Sequence, residues 1–69
     1  METITLKVGG MTCQGCVRSV RKVLEGEPGV EQVDVSLEQG EATVRFDPAS
    51  ADRARLTRAV ENAGYQVRV

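Results

Sequence analysis

The organisation of this chain follows from one stretch, Gly9-Gly10-Met11-Thr12-Cys13-Gln14-Gly15-Cys16. It contains both cysteines of the 69-residue chain, and it joins a strand-like run to a helix-like run. Two thiols at this spacing can hold one soft metal ion or close one small disulfide loop. The question of function is therefore which of these the two cysteines do.

Alternation of apolar and polar residues surrounds this stretch. From Glu2 to Val8 it predicts a half-buried strand, because successive side chains of a strand point to opposite faces. The same pattern predicts three further strands, at Val30 to Glu38, Glu41 to Asp47 and Gln66 to Val69. Only Gln39-Gly40 separates the second and third strands, so these two are expected to form an antiparallel hairpin.

Two amphipathic helices are predicted between the strands. The first runs from about Gln14 to about Glu25 and the second from about Ala51 to about Ala63, each with one apolar stripe. Thr12 is expected to cap the first helix and Ser50 the second, because hydroxyls at this position accept from unpaired backbone amides. Gly64 stands where a left-handed residue commonly ends a helix.

The predicted order is strand, helix, strand, strand, helix, strand. Each helix has one apolar stripe and each strand has one apolar face, so both helices are expected on one face of a four-stranded antiparallel sheet. Right-handed crossovers then give an α+β fold, the ferredoxin-like βαββαβ open-faced sandwich. A chain of this size has room for one core, and residues 1–69 are expected to form a single domain.

The composition excludes several classes of protein. The net charge is −1, from 9 basic and 10 acidic residues mixed along the chain, whereas a nucleic-acid surface needs a clustered basic excess. No apolar run approaches the roughly 18 residues of a membrane span, and the start of the chain does not resemble a secretory signal. These features predict a soluble, cytoplasmic protein. Two cysteines in that reducing compartment are more often metal-binding or redox-active than structural.

The chemistry of the loop favours a soft metal ion. Cys13 is expected just before the first helix and Cys16 in its first turn, where free amides and the helix dipole favour thiolate over thiol. The chain has no histidine, and two strong ligands are too few for a structural zinc site, which normally takes four. Ions that accept two sulfur ligands fit better: Cu(I) first, then Ag(I) or Hg(II).

With these flanking elements the chain resembles the heavy-metal-associated domain family. This family comprises small copper chaperones and the N-terminal metal-binding domains of copper-transporting P-type ATPases. Its signature G-M-x-C-x-x-C is matched by Gly10, Met11, Cys13 and Cys16, and the resemblance covers essentially all 69 residues. It implies the same ferredoxin-like fold that the patterns predict.

The resemblance also implies roles for particular residues. Cys13 and Cys16 match the two metal-binding cysteines of the family. Met11 matches a residue that usually points inward and supports the loop, and Tyr65 matches a position beside the metal where bacterial chaperones often have tyrosine. Thr12 stands where zinc and cadmium relatives often have an acidic residue, which disfavours those metals. Met11, Thr12 and Tyr65 are therefore expected around the metal but not among its ligands.

A docking surface is predicted next to the loop. Arg18, Arg21 and Lys22 share the side of the first helix that lies opposite its apolar stripe. Either they form an ordinary solvated helix face, or they guide the loop to an acidic partner.

These observations predict a Cu(I) carrier that is not an enzyme. It would bind one ion through Cys13 and Cys16 and pass it by thiolate exchange to a partner, which the resemblance implies is a copper-transporting P-type ATPase. One alternative is a metal-binding domain of such an ATPase, and another is a small thiol-disulfide oxidoreductase. The sequence leaves undecided whether a metal ion bridges two copies into a homodimer.

Overall fold

The structure is a computed structural model that describes residues 1–68. Its elements in chain order are β1 (Glu2–Gly9), α1 (Gln14–Glu25), β2 (Val30–Ser36), β3 (Glu41–Phe46), α2 (Arg53–Asn62) and β4 (Gln66–Arg68). The predicted strand, helix, strand, strand, helix, strand order is confirmed. Val69, the last residue of the predicted fourth strand, lies outside the described residues.

The four strands form one antiparallel sheet in the order β2-β3-β1-β4. β1 is therefore a central strand, and its last residue, Gly9, pairs with Gln66 at the start of β4. α1 packs on β2 and on α2, and α2 packs in turn on β4 and β1. This is the predicted ferredoxin-like βαββαβ sandwich, and it places the loop after β1 at one end of the sheet.

The core lies between the sheet and the two helices. Its large side chains that are almost completely buried are Leu6, Val20, Leu24, Val44, Phe46, Leu56 and Val60. Among the described residues no polar or charged side chain is buried. The core thus follows from the predicted apolar stripes and strand faces, because burial of apolar surface is the main favourable term in folding.

Both predicted helix caps are wrong. α1 begins at Gln14, so Cys13 and not Thr12 is its N-cap, and no described side chain caps the first turn. α2 begins at Arg53, where the carboxylate of Asp52 accepts a hydrogen bond of 2.7 Å from the backbone amide of Arg55. A charged acceptor at a helix N-terminus is favoured over the predicted Ser50 hydroxyl, because it also interacts with the helix dipole.

The ends of some elements also differ from prediction. β2 stops at Ser36 instead of Glu38, and the Ser36 hydroxyl accepts a hydrogen bond of 3.2 Å from the Gln39 amide in the following turn. Ala51 lies before α2 and not within it, and it is 5% exposed in the core. Gly64 has the predicted left-handed backbone, with φ at 96°. None of the helices in the described range is long and apolar enough to cross a membrane.

Candidate metal site

The two cysteines lie together at the start of α1. Cys13 has an extended backbone, and its carbonyl accepts from the amides of Cys16 and Val17 at 3.1 and 3.3 Å. This first turn brings the two Sγ atoms to 3.4 Å from one another. The predicted placement of Cys13 just before the helix and Cys16 in its first turn is therefore confirmed.

The two sulfurs are free thiols at the surface. Cys13 is exposed and Cys16 is half-buried, so both are accessible to an incoming ion or to a second thiolate. Within residues 1–68, no cluster of three or more His, Cys, Asp or Glu side chains could hold a metal ion. The donor set therefore suits an ion that accepts two sulfur ligands, and it does not suit structural zinc.

An ion with linear coordination by these two sulfurs requires the two Sγ atoms to move apart. If each metal–sulfur bond is close to the roughly 2.3 Å of a zinc–thiolate bond, two bonds in line place the sulfurs about 4.6 Å apart, compared with 3.4 Å here. Gly15 lies between the cysteines, and a Cβ there would approach the Cys13 Sγ to 3.6 Å. A glycine at this position leaves the first turn space to adjust as the sulfurs separate.

Cys16 is poised as a thiolate. Hydrogen bonding from the backbone amide of Thr12, then from the Tyr65 hydroxyl and the Cys13 thiol, lowers the pKa of Cys16 to about 6. The pKa of Tyr65 is raised, chiefly because its hydroxyl hydrogen-bonds with Cys16. The thiolate preference expected near the helix N-terminus is thus present at Cys16, with a loop amide as its largest cause.

The three residues expected around the metal all lie by the loop. Met11 is half-buried and packs against the core, which agrees with a supporting role. The Thr12 Oγ1 lies 4.0 Å from the Cys16 Sγ, so this side chain faces a sulfur instead of capping the helix. Tyr65 also packs against the core, and its ring lies 3.7 Å from the Cβ position of Gly10.

The basic residues of α1 are exposed but not equivalent. Arg21 pairs with Glu25, with an Nε–Oε2 distance of 3.5 Å, whereas Arg18 and Lys22 form no ion pair with any described residue. Arg18 and Lys22 therefore carry the unpaired positive charge of α1, with Arg18 nearer the loop and Lys22 in the last turn of the helix. The Arg21–Glu25 pair was not predicted, although a spacing of four residues on a helix is its ordinary signal.

Ser19 is a residue near the site that the sequence analysis missed. Its hydroxyl donates a hydrogen bond of 3.1 Å to the carbonyl of Gly15, one turn earlier in α1 and between the two cysteines. The available signal was its position three residues after Cys16 on α1, since residues three apart on a helix are neighbours.

Comparison with known proteins places this geometry in a family. A family model described as the heavy-metal-associated domain matches residues 5–66. The mercuric transport protein periplasmic component of Pseudomonas fluorescens is 47% identical over 64 residues, which cover 93% of this chain and 70% of that protein. Residues 5–66, which this family model matches, include both cysteines and both helices.

Two solved structures are similar over almost the whole chain. A copper binding domain from HMA7, a P-type ATPase, superposes with a TM-score of 0.97 at 35% identity, covering 99% of this chain and 92% of that one. The CopZ metallochaperone has a TM-score of 0.94 at 33% identity, covering 97% and 100% of the two chains. This chain therefore belongs to the heavy-metal-associated domain family, whose members are metal-binding domains.

Proposed function

We propose that this chain is a single-domain carrier of one soft metal ion, bound between Cys13 and Cys16 and passed to a partner by thiolate exchange. The observation that carries the proposal is the pair of free, accessible sulfurs 3.4 Å apart on the first turn of α1. Such a site satisfies an ion that accepts two sulfur ligands and leaves space for a third to approach.

Transfer proceeds through metal–sulfur bonds alone. A partner thiolate first adds to the bound ion, giving three sulfur ligands. One sulfur of this chain then leaves, a second partner thiolate adds, and the remaining sulfur of this chain is released. The ion is never free in solution, and no covalent bond of an organic substrate is made or broken, so the carrier is not an enzyme.

Cu(I) is the first candidate for the ion. The similar structure of a copper binding domain from a P-type ATPase supports it, as does the preference of paired thiolates for Cu(I). A copper carrier of this kind would work in the cytoplasm and deliver its ion to a copper-transporting P-type ATPase, or would serve as a domain of one.

Hg(II) is the second candidate, and a specific observation favours it. The relative from Pseudomonas fluorescens, at 47% identity, is named for mercuric transport and for the periplasm. Hg(II) accepts two sulfur ligands just as Cu(I) does, so the same pair of cysteines would serve. A mercuric carrier would place this chain in the periplasm and give it a different acceptor.

Titration of the reduced protein tests the proposal and separates the two ions. We expect about one Cu(I) per monomer in competition with a Cu(I) chelator, and about one Hg(II) per monomer in competition with excess small thiol. Each competitor, the Cu(I) chelator or the small thiol, is then raised to the level at which such ligands occur in the cell. The physiological ion is the one that remains bound to the protein under this competition. Light scattering of the loaded protein shows whether the ion bridges two copies. Failure of both ions to bind at this ratio contradicts the proposal.

We also propose that Arg18 and Lys22 guide docking. Arg18 lies one turn beyond Cys16 on α1, Lys22 lies one turn further along, and both are exposed and form no ion pair with a described residue. Arg18→Glu with Lys22→Glu is therefore expected to slow metal transfer to an acidic acceptor. Metal affinity should stay the same, since neither residue touches the sulfurs. Stopped-flow transfer at low and high salt measures the effect, which should fade as salt screens the charges.

The matched control for docking is Arg53→Glu with Arg58→Glu. These exposed arginines lie on α2, which begins at the end of the fold remote from the loop, and the pair changes the net charge equally. If both double variants slow transfer equally, the effect comes from net charge and not from docking. If the α1 variant does not slow transfer, Arg18 and Lys22 are part of an ordinary solvated helix face.

A further inference from the structure

A small basic pocket lies on the open face of the sheet, next to the start of the metal loop. Leu6 and Val8 point into the core, so Lys7 and Gly9, which alternate with them on β1, face the side of the sheet without helices. The pocket has a volume of about 470 Å³. It is lined by Lys7, Val8, Gly9, Gln39, Gly40 and Arg68.

Two cations stand side by side on this face. Lys7 of β1 and Arg68 of β4 are register partners, so their side chains project from neighbouring strands in the same direction. The Lys7 Nζ lies 2.5 Å from the Oε2 of Glu41 on β3, whereas Arg68 forms no ion pair with any residue in the described range 1–68. Two positive charges are therefore balanced by one negative charge, and one more carboxylate would complete the set.

Gly9 keeps the floor of the pocket open. A Cβ at this position would lie 3.7 Å from the Nε of Arg68 and 3.6 Å from the Oε1 of Gln66, so these two side chains approach one another over the glycine. Gly9 is not among the glycines with a left-handed backbone, and its conformation therefore does not require glycine. What the missing side chain provides here is space beneath a guanidinium and an amide.

The polar groups around the pocket fit an acidic peptide better than a simple anion. A guanidinium presents its N–H donors as a planar fork, which can bind a carboxylate through two parallel hydrogen bonds. The side-chain amides of Gln39 and Gln66 each carry both a donor and an acceptor, and such groups match the N–H and C=O of a peptide backbone. An inorganic anion offers acceptors only and would leave the two amide oxygens without a donor.

We propose that this pocket binds an acidic segment of the metal acceptor, with an Asp or Glu side chain on the Arg68 guanidinium and the Lys7 ammonium. The adjacent backbone of the segment lies against the amides of Gln39 and Gln66. This inference rests on the proposed carrier function, because it gives the acceptor a second contact beside the loop, on the face of the sheet that α1 does not cover.

The position of the pocket explains why a partner, and not a free anion, would use it. A carboxylate on exposed cations gains little binding energy by itself. An acceptor that is already held at the metal loop presents its carboxylate at a high effective concentration, so the same weak contact then counts fully. Gly9 directly precedes the loop, and the Gly40 carbonyl accepts a hydrogen bond of 2.8 Å from the Val8 amide, so the pocket lies where such an acceptor can reach it.

NMR titration of the reduced, metal-free protein, labelled with ¹⁵N, tests the proposal with the peptide acetyl-Gly-Asp-Gly-amide as the probe. We expect shifts concentrated at the amides of Gly9 and Gly40 and at the Nε–H of Arg68, with a Kd in the millimolar range. Arg68→Gln should weaken binding roughly fivefold, the upper end of what an exposed ion pair supports. Arg68→Lys keeps the charge but loses the fork, and it should weaken binding by a smaller factor.

Three controls separate this contact from a general effect of charge. Arg53→Gln removes an exposed arginine at the start of α2, remote from the loop, and should leave the affinity unchanged. The same peptide with Asn in place of Asp should produce no shifts at the pocket. Sodium acetate presents a carboxylate without a peptide backbone and should bind more weakly than the acidic peptide.

Several outcomes overturn the inference. Equal weakening by Arg68→Gln and Arg53→Gln would assign binding to net charge, and equal affinity for acetate would make the pocket a site for a free anion only. Shifts that are absent or spread over the whole surface would show that the pocket takes no acidic segment. Because the titrated protein is free of metal, these results contradict the pocket alone, whereas failure to bind an ion contradicts the carrier function.

Discussion

Cys13→Ser and Cys16→Ser are each expected to reduce Cu(I) affinity by far more than the roughly 10- to 100-fold that loss of an outer-shell partner costs. Each change leaves one sulfur, and the serine hydroxyl is a poor ligand for a soft ion. Within residues 1–68 no cluster of three or more His, Cys, Asp or Glu side chains is available to take the place of the lost thiolate. Competition with a chromophoric Cu(I) chelator measures the loss for each variant.

Met11→Leu is the matched control in the same loop. Met11 is half-buried against the core, and the change conserves volume and apolar character, so affinity should stay nearly constant. Wild-type affinity in either serine variant would contradict the assignment of the site, and a large loss in Met11→Leu would make its thioether a ligand.

The pH dependence of Cu(I) affinity is a further test of Cys16 as a metal ligand. With a pKa of about 6, Cys16 is mainly thiolate at neutral pH, so the ion displaces little proton from this sulfur. Wild-type affinity should therefore fall more steeply as the pH drops through about 6, where protons begin to compete for Cys16. Repeating the chelator competition across this range checks the expected direction.

The periodic features of the sequence were sufficient to predict the fold. Alternation in β1 and β3 and the apolar stripes of α1 and α2 each leave one face to bury, and a single layered arrangement buries all of them. The placement of Cys13 and Cys16 followed as well, because a strand and a helix on either side of a short loop fix where the loop lies.

Helix starts and side-chain partners were not predictable in the same way. Ser50 and Asp52 both belong to residue types that cap helices, so composition alone could not choose between them. Tyr65 reaches the loop at Gly10 only because α2 packs on β1 and β4, and that contact depends on packing between distant parts of the chain. Thr12 was assigned to the helix end, whereas its hydroxyl lies 4.0 Å from a sulfur.

The identity of the ion is beyond both the motif and the geometry. Cu(I) and Hg(II) have the same preference for two thiolates, and relatives named for copper and for mercury share this fold or sequence. The sulfur pair therefore specifies a soft ion. The choice between ions rests on affinity against competing thiols and on the compartment and acceptor in which the carrier works.

The end of the fold opposite the loop depends on a close backbone approach at Gly29. This residue has φ at 85°, and its carbonyl accepts a hydrogen bond of 2.8 Å from the amide of Asp47. A Cβ at Gly29 would lie 2.6 Å from the Cβ of Ser50, closer than side-chain atoms can approach. The hydrogen bond to Asp47 holds the backbone in place, so the contact cannot be relieved by a small local shift.

Gly29→Ala is therefore expected to destabilise the domain by roughly 3 kcal/mol, combining about 1 to 2 kcal/mol for a left-handed backbone with about 1 to 3 kcal/mol for overpacking. A domain of this length has a total stability of roughly 3 to 10 kcal/mol, so the variant should be close to unfolding. Gly64→Ala is the matched control: φ there is 96°, but nothing lies within 4 Å of its Cβ position, and only the backbone cost of about 1 to 2 kcal/mol is expected. Urea denaturation of the reduced, metal-free proteins measures both changes. Equal losses in the two variants would show that the contact with Ser50 relaxes freely, and that the left-handed backbone alone explains the glycine at position 29.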